Sequence, residues 1–237
     1  MTDPFGQAIA DYFHNHSPAK LWIHNTYGPK EEMPVAAYFR NHDKMPLLEH
    51  VALDLCRGKI LDIGACAGSH ALYLQEQDTE VTALEISPLA CGVMMHRGVT
   101  SVVQQDIFHY HPKEKYDTLL LMMNGIGITG TLTGLGVFLD HAATLLQPGG
   151  QLIFDSSDVA YVYEDHFPRL ENYYGEIAYR YAYKRKKTDW FNWLYIDRFT
   201  LSALALRKGW RTEFIMEDDR GQYLVQLQNQ PEPINKA

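Results

Sequence analysis

The stretch LDIGACAGSH, residues 61–70, constrains this chain more than any other. A short apolar run, Lys59 to Ile63, carries an acid at Asp62 and ends at Gly64. Ala65, Cys66, Ala67 and Gly68 follow before a helical pattern resumes to about Gln77, with Ala71, Leu72 and Leu74 inward. Small residues at this density give up packing area, and glycine gives up chain entropy. The return is close approach of the backbone to something that is not protein. The free N–H groups of the following helix face the same place.

The rhythm repeats down the chain. Glu80 to Glu85 reads as a second strand, and Ser87-Pro88 caps the helix after it. Thr100 to Gln105 and Tyr116 to Met123 read as further strands, the latter apolar enough to be buried on both faces. A helix spans about Thr133 to Leu146, and Pro148-Gly149-Gly150 turns into the strand Gln151 to Phe154. Arg198 to Lys208 is a closing helix. Arg211 to Met216 and Gln222 to Gln228 make a last hairpin. The expected fold is α/β: a doubly wound, mostly parallel seven-stranded sheet that ends in an antiparallel hairpin.

Two regions stand outside this core, within what reads as one domain over 1–237. Residues 1–58 are expected to be helical pieces broken at Pro18, Gly28-Pro29, Pro34 and Pro46; the last piece has Leu47, Leu48, Val51, Ala52 and Leu55 inward. Within residues 156–197, an added β-hairpin near 178–197 alternates Tyr179, Tyr181 and Tyr183 on one arm. Phe191, Trp193 and Tyr195 lie on the other, with the polar tip Arg185 to Asp189 between them. This aromatic hairpin suits an acceptor pocket, a homodimer contact or plain core packing.

Composition trims the function classes. A formal net charge of -8 argues against nucleic acid as the main partner, since phosphate contacts need a basic surface. Cys56, Cys66 and Cys91 form no C-x-x-C pair, which points to reduced thiols and no zinc site. The pairs His14/His16 and His109/His111 lack a third ligand in register, so no metal is expected. The start MTDPFGQAIADYF has no basic opening and no uninterrupted apolar core, so no signal peptide is expected there. The uncharged stretch 118–139 is too rich in glycine and threonine for a membrane span. A cytoplasmic location is the expectation.

Ligands of open α/β sheets bind beyond the carboxyl ends of the strands. Glu85 ends the second strand, where a carboxylate can accept from both hydroxyls of a ribose. Asp106 ends the third, within reach of an adenine amino group. A dinucleotide fingerprint would need glycine where Cys66 and Ser69 stand, and fails there.

LDIGACAGSHALYL, VTALEIS, VVQQDIF, YDTLLLMMNGIGITG and LLQPGGQLIFDSSD, taken in order, resemble the motifs of class I S-adenosylmethionine-dependent methyltransferases. The likeness covers roughly 59–155 and the closing helix and hairpin at 198–228. It implies S-adenosyl-L-methionine as cofactor and a nucleophilic O, N or C atom, of a small molecule, as acceptor. It further implies that Asp62, Gly64, Ala65, Cys66 and Gly68 hold the methionine part. By the same resemblance Glu85 takes the ribose with Ile86 beside the adenine, Asp106 takes the adenine with Ile107 next to it, and Asn124 and Gly125 face cofactor and substrate. The family's middle glycine is Cys66 here, which must keep φ negative or bear strain. Arg40, in an N-terminal segment expected to fold over the cofactor, is a candidate partner for its carboxylate. Methyl transfer needs a general base only when the acceptor must lose a proton; Asn124, Asp155 and Asp158 are the candidates. A cofactor-binding module without transferase activity and a nicotinamide-dependent oxidoreductase are the alternatives.

Overall fold

The computed structural model describes residues 2–15, 19–163 and 172–229. In chain order the elements are α1 (Pro4–Asn15), β1 (Leu21–Asn25), β2 (Glu31–Met33), α2 (Leu47–Leu55), β3 (Ile60–Ile63), α3 (Ser69–Glu76), β4 (Val81–Glu85), α4 (Pro88–Arg97), β5 (Val102–Gln104), β6 (Tyr116–Leu121), α5 (Leu132–Leu145), β7 (Leu146–Ser157), β8 (Glu176–Tyr183), β9 (Lys186–Lys187), β10 (Phe191–Leu194), α6 (Arg198–Arg207), β11 (Trp210–Glu217) and β12 (Gln222–Asn229). Short 3₁₀ turns sit at Val35–Phe39, His42–Lys44, Ile107–His109, Gly125–Thr129 and Ala160–Tyr163.

The large sheet runs β11-β12-β7-β6-β3-β4-β5. Its five strands from β7 to β5 are mutually parallel, and β12 and β11 close it antiparallel. The expected α/β sheet is therefore present with its terminal hairpin. Sequence patterning explains it: β3 and β4 are buried at every position, as a central strand covered on both faces requires. Leu61, Ile63, Phe138, Leu139 and Leu152 pack one face, while Ile60, Ala71, Leu74, Leu120 and Ile153 pack the other. Chain order reverses at β3, which has β4 on one side and β6 on the other. The crevice at the carboxyl ends of β3, β4 and β6 is the switch point of the fold.

The N-terminal region departs from a purely helical expectation. α1 and α2 form, but residues 21–25 and 31–33 are strands, and Leu47 is exposed rather than inward. β1 and β2 join the aromatic hairpin in a second sheet ordered β10-β8-β1-β2, with β9 paired to β8. Pairing of β1 with β8 sets Leu21 beside Tyr183 and Ile23 beside Tyr181. Alternation in LWIHN was the available signal; the nearby proline and glycine breaks masked it. The tyrosine face of this sheet turns inward. Tyr183 packs with α1 and α4 residues and with Cys66 and Ala67, so the second sheet roofs the carboxyl end of the first.

Candidate functional site

Positive φ values at Gly64 (74°) and Gly68 (80°) shape the turn after β3. Gly64 N–H donates to Leu84 O at 2.8 Å and Gly68 N–H to Ala65 O at 2.7 Å. A Cβ built on Gly64 meets no protein atom within 4 Å, so the backbone there borders open space. A Cβ on Gly68 would stand 2.8 Å from Val99 Cγ2, so that glycine serves close packing against the segment after α4. Cys66 takes φ of 51°, in the left-handed region: it bears the strain instead of avoiding it. Its side chain is buried against α1 and α4, which holds it there and pushes the thiol well above its ordinary range through burial and the field of Glu85.

Glu85 is 7% exposed and ties this turn to the next. Its carboxylate accepts from Cys66 N–H at 3.0 Å, Ile86 N–H at 2.8 Å and Ser87 N–H at 2.9 Å. Burial raises its pKa despite these three donors. A carboxylate offers about four acceptor directions, so one remains. Next to it Ile86 is 64% exposed, a bare apolar side chain at the crevice. Asp106 caps the Ile107–His109 turn by accepting from Phe108 N–H at 2.9 Å, and Ile107 is buried in the core.

Beneath the crevice lies a buried ionisable cluster. Arg40 pairs with Glu49, whose other oxygen meets His70 Nε2 at 2.9 Å. Burial alone would raise Glu49, but the His70 and Arg40 contacts hold it below the ordinary carboxylate range. The same Glu49 bond, with the field of Asp62, lifts His70 above its usual value against the effect of burial. Asp62 and Asp155 are both driven to about 6 by burial. Asp155 Oδ2 accepts from Asn124 N–H at 2.8 Å and Gln222 Nε2 at 2.6 Å. Asp62 Oδ2, Asp155 Oδ1 and Arg40 Nε are buried without a hydrogen-bond partner. Unpaired buried carboxylate oxygens are costly, and a cationic donor would satisfy them.

Backbone strain marks the strand end opposite. Met123 (φ 63°) and Asn124 (φ 56°) are consecutive left-handed residues between β6 and the Gly125–Thr129 turn. Asn124 Oδ1 accepts from Ser157 Oγ at 3.0 Å. Such strain persists only where the surroundings enforce it, and it clusters at ligand sites.

Comparison with known proteins now decides the family. Residues 61–154 match the family described as a methyltransferase domain. An S-adenosylmethionine-dependent methyltransferase from Bacteroides fragilis, crystallised with S-adenosyl-L-homocysteine, is 43% identical; the alignment covers 95% of this chain and 94% of that one, with a TM-score of 0.89. The chain belongs to the S-adenosylmethionine-dependent methyltransferases. A sugar N-methyltransferase from Streptoalloteichus shares the fold at 16% identity and a TM-score of 0.55, over 85% of this chain and 96% of that one. The tRNA1(Val) (adenine(37)-N6)-methyltransferase of Aliivibrio salmonicida is 36% identical over 70 residues, 26% of this chain and 30% of that protein.

S-adenosylmethionine is thus the cofactor of this methyltransferase, and the crevice fits it. Open space over Gly64, bare Ile86 and the two partnerless carboxylate oxygens suit a ligand with an ammonium and a flat apolar base. Of the residues singled out in sequence, Asp62, Gly64, Ala65, Cys66, Gly68, Glu85 and Ile86 meet at one place, and Asn124, Gly125 and Asp155 border it across β3 and β6. Arg40 points into the cluster but is engaged by Glu49. Asp158 accepts from Ala160 N–H at 2.9 Å and Tyr174 OH at 2.7 Å, a turn residue in its contacts. Sequence reasoning missed Glu49 and His70. Their signal was a histidine at the start of α3 and an acid within the apolar pattern of α2, a type almost never buried unless paired. Among the described residues no group of three His, Cys, Asp or Glu is placed to hold a metal ion, and His16 lies outside them. Among the described residues, no helix is long and apolar enough to cross a membrane.

Proposed function

We propose that this methyltransferase methylates a small-molecule nucleophile seated between the tyrosine face of the second sheet and the carboxyl ends of β6 and β7. The observation that carries this reading is the roof itself. Tyr38, Tyr181 and Tyr183 pack in one cluster with Cys66 and Ala67 of the turn after β3, which supports a phenol-lined roof there. Tyr27, Tyr179 and Tyr195 link their hydroxyls at 3.3 Å, and the Trp193 indole lies against Gly127. A site roofed by a whole sheet admits a small acceptor and keeps water out.

When bound, S-adenosylmethionine supplies a methyl group already activated on a sulfonium. The chain then has to bind, orient and exclude solvent. Asp62 Oδ2 fits the ammonium of the methionine part, and the Arg40–Glu49–His70 chain sets the charge behind it. The remaining acceptor direction of Glu85 fits a ribose hydroxyl, Ile86 one face of the adenine and Asp106 its amino group. Asn124 and Gly125 form the wall shared with the acceptor. Asp155, its Oδ2 fixed by two donors, keeps Oδ1 free to take a proton from an acceptor that must lose one. Asp158, occupied by Tyr174 and Ala160, is left out of this role.

Incubating the protein with methyl-labelled S-adenosylmethionine and a cell extract split into small-molecule, RNA and protein fractions tests the reading. Label in the small-molecule fraction supports it; label confined to RNA or protein refutes it.

A further inference from the structure

The second sheet has another side. Paired residues on adjacent strands share a face, and the register places Trp22, His24, Ala178, Arg180, Ala182 and Lys187 opposite the tyrosines. Glu32, beside Trp22, and Asn192, beside Ala178, share this face, and its remaining chemistry is cationic and aromatic. Lys30 Nζ lies 4.1 Å from the centroid of the Trp22 ring and Lys20 Nζ 5.6 Å, while the Arg180 guanidinium lies 4.8 Å from that of Trp190. Lys20 is paired with Glu32 and Lys184 with Asp11. Among the described residues, Lys30, Arg180, Arg185 and Lys187 enter no ion pair, and Arg180 Nε is without a hydrogen-bond partner. Burial, and then the fields of Arg180, Lys187 and Lys30, hold the His24 imidazole below its ordinary value.

This patch sits on a chain whose net charge is -8. A solvated face needs neither the two indoles nor the unpaired guanidinium. Ala178 and Ala182 flank Arg180 along β8, so the floor between Trp22 and Trp190 is low. Flat rings stack on indoles and guanidinium planes, and lysines take phosphates; one polymer carries both groups in alternation. We propose that the outer face of the second sheet docks single-stranded nucleic acid, with Lys30, Arg180 and Lys187 on phosphates and Trp22 and Trp190 against bases. The sheet stands between this face and the cofactor crevice, so the strand is a docking partner and not the methyl acceptor.

Fluorescence anisotropy of a fluorescein-labelled oligouridylate, titrated with the full chain at several salt concentrations, is the test. Saturable binding that weakens linearly in log salt is expected. A double variant, Arg180→Glu with Lys187→Glu, should weaken it at least about tenfold and flatten the salt slope. Trp190→Ser, at an exposed position, should weaken it about tenfold with the slope kept. Calorimetry with S-adenosylhomocysteine, unchanged in each variant, confirms that the proteins are folded. Four outcomes overturn the proposal: no saturable binding, variants that bind as the parent does, equal displacement of the probe by polyglutamate, or a change of oligomeric state in the double variant. The last would make the face a contact between copies of the chain.

Discussion

Cys66 shows how a single position couples the glycine turn after β3 to the rest of the molecule. A left-handed φ costs a non-glycine residue about 1–2 kcal/mol, and here a buried side chain packed on α1 and α4 offsets it. Cys66→Gly removes both terms, so cofactor affinity should stay within about tenfold, roughly 1.4 kcal/mol, by calorimetry with S-adenosylhomocysteine. Gly64 is the opposite case. Its φ of 74° and the open space beside it mean that a β-branched side chain is strained and occupies ligand room. Gly64→Val should abolish binding in a protein that still folds; retained affinity would place the cofactor elsewhere. Glu85 does two jobs, so Glu85→Ala should lower stability as well as affinity. Three backbone donors lose a buried acceptor, which costs about 1–3 kcal/mol in chemical denaturation.

At the scale of elements, α1 is the piece that the sequence placed and the structure gave a purpose. Ser87 Oγ donates to Asp3 Oδ2 at 2.5 Å, which pins the start of α1 to the turn between β4 and α4, one residue from Ile86. Ser69 Oγ donates to Tyr38 O at 2.8 Å, and Arg97 stacks on Phe39 at 5.1 Å, so the Val35–Phe39 turn is fastened to the start of α3 and to α4. A Cβ on Gly6 would collide with Ser87 Oγ and the Asp3 carboxylate. Gly6→Val should therefore undock α1. Hydrogen exchange should quicken across residues 4–15 and at Ile86 and Ser87, with β3 and β6 unchanged. Exchange that stays slow across 4–15 would show that the contact with Ser87 is dispensable.

For the whole molecule, the buried carboxyls make stability depend on pH. Asp155 rises from an ordinary value of 3.8 to about 6 in the fold. A raised folded value means the native state holds the proton more tightly, so this contribution is full below about pH 4 and is lost as pH climbs through 6. Two units correspond to roughly 3 kcal/mol. Asp155→Asn retains an oxygen to accept from Asn124 and Gln222 but cannot ionise. Relative to the parent it should gain stability as pH rises from 4 to 6 and keep that gain above 6, read as the difference in Tm measured without cofactor. A difference that stays flat across this range would show that Asp155 is not the titrating group. If Asp155 takes the acceptor's proton, the same variant should lose methyl transfer while still binding S-adenosylhomocysteine.

The order of strands and helices, the glycine turn after β3 and the acids at the ends of β3, β4 and β5 were legible in the sequence because each follows from local rules. Apolar periodicity sets an element, glycine permits a turn, and an acid at a strand end falls at a fixed place in a parallel sheet. Residues 21–25 and 31–33 were not legible as strands, because a short run pairs only when a distant partner, here β8, supplies the ladder. Arg40, Glu49, His70 and Asp155 come from four separate segments, and their coupling exists only where the fold removes water from between them. The two faces of the aromatic hairpin were visible as alternation, but which one turns inward was not. Tertiary packing decided it, by burying the tyrosines over Cys66 and leaving the lysines outside.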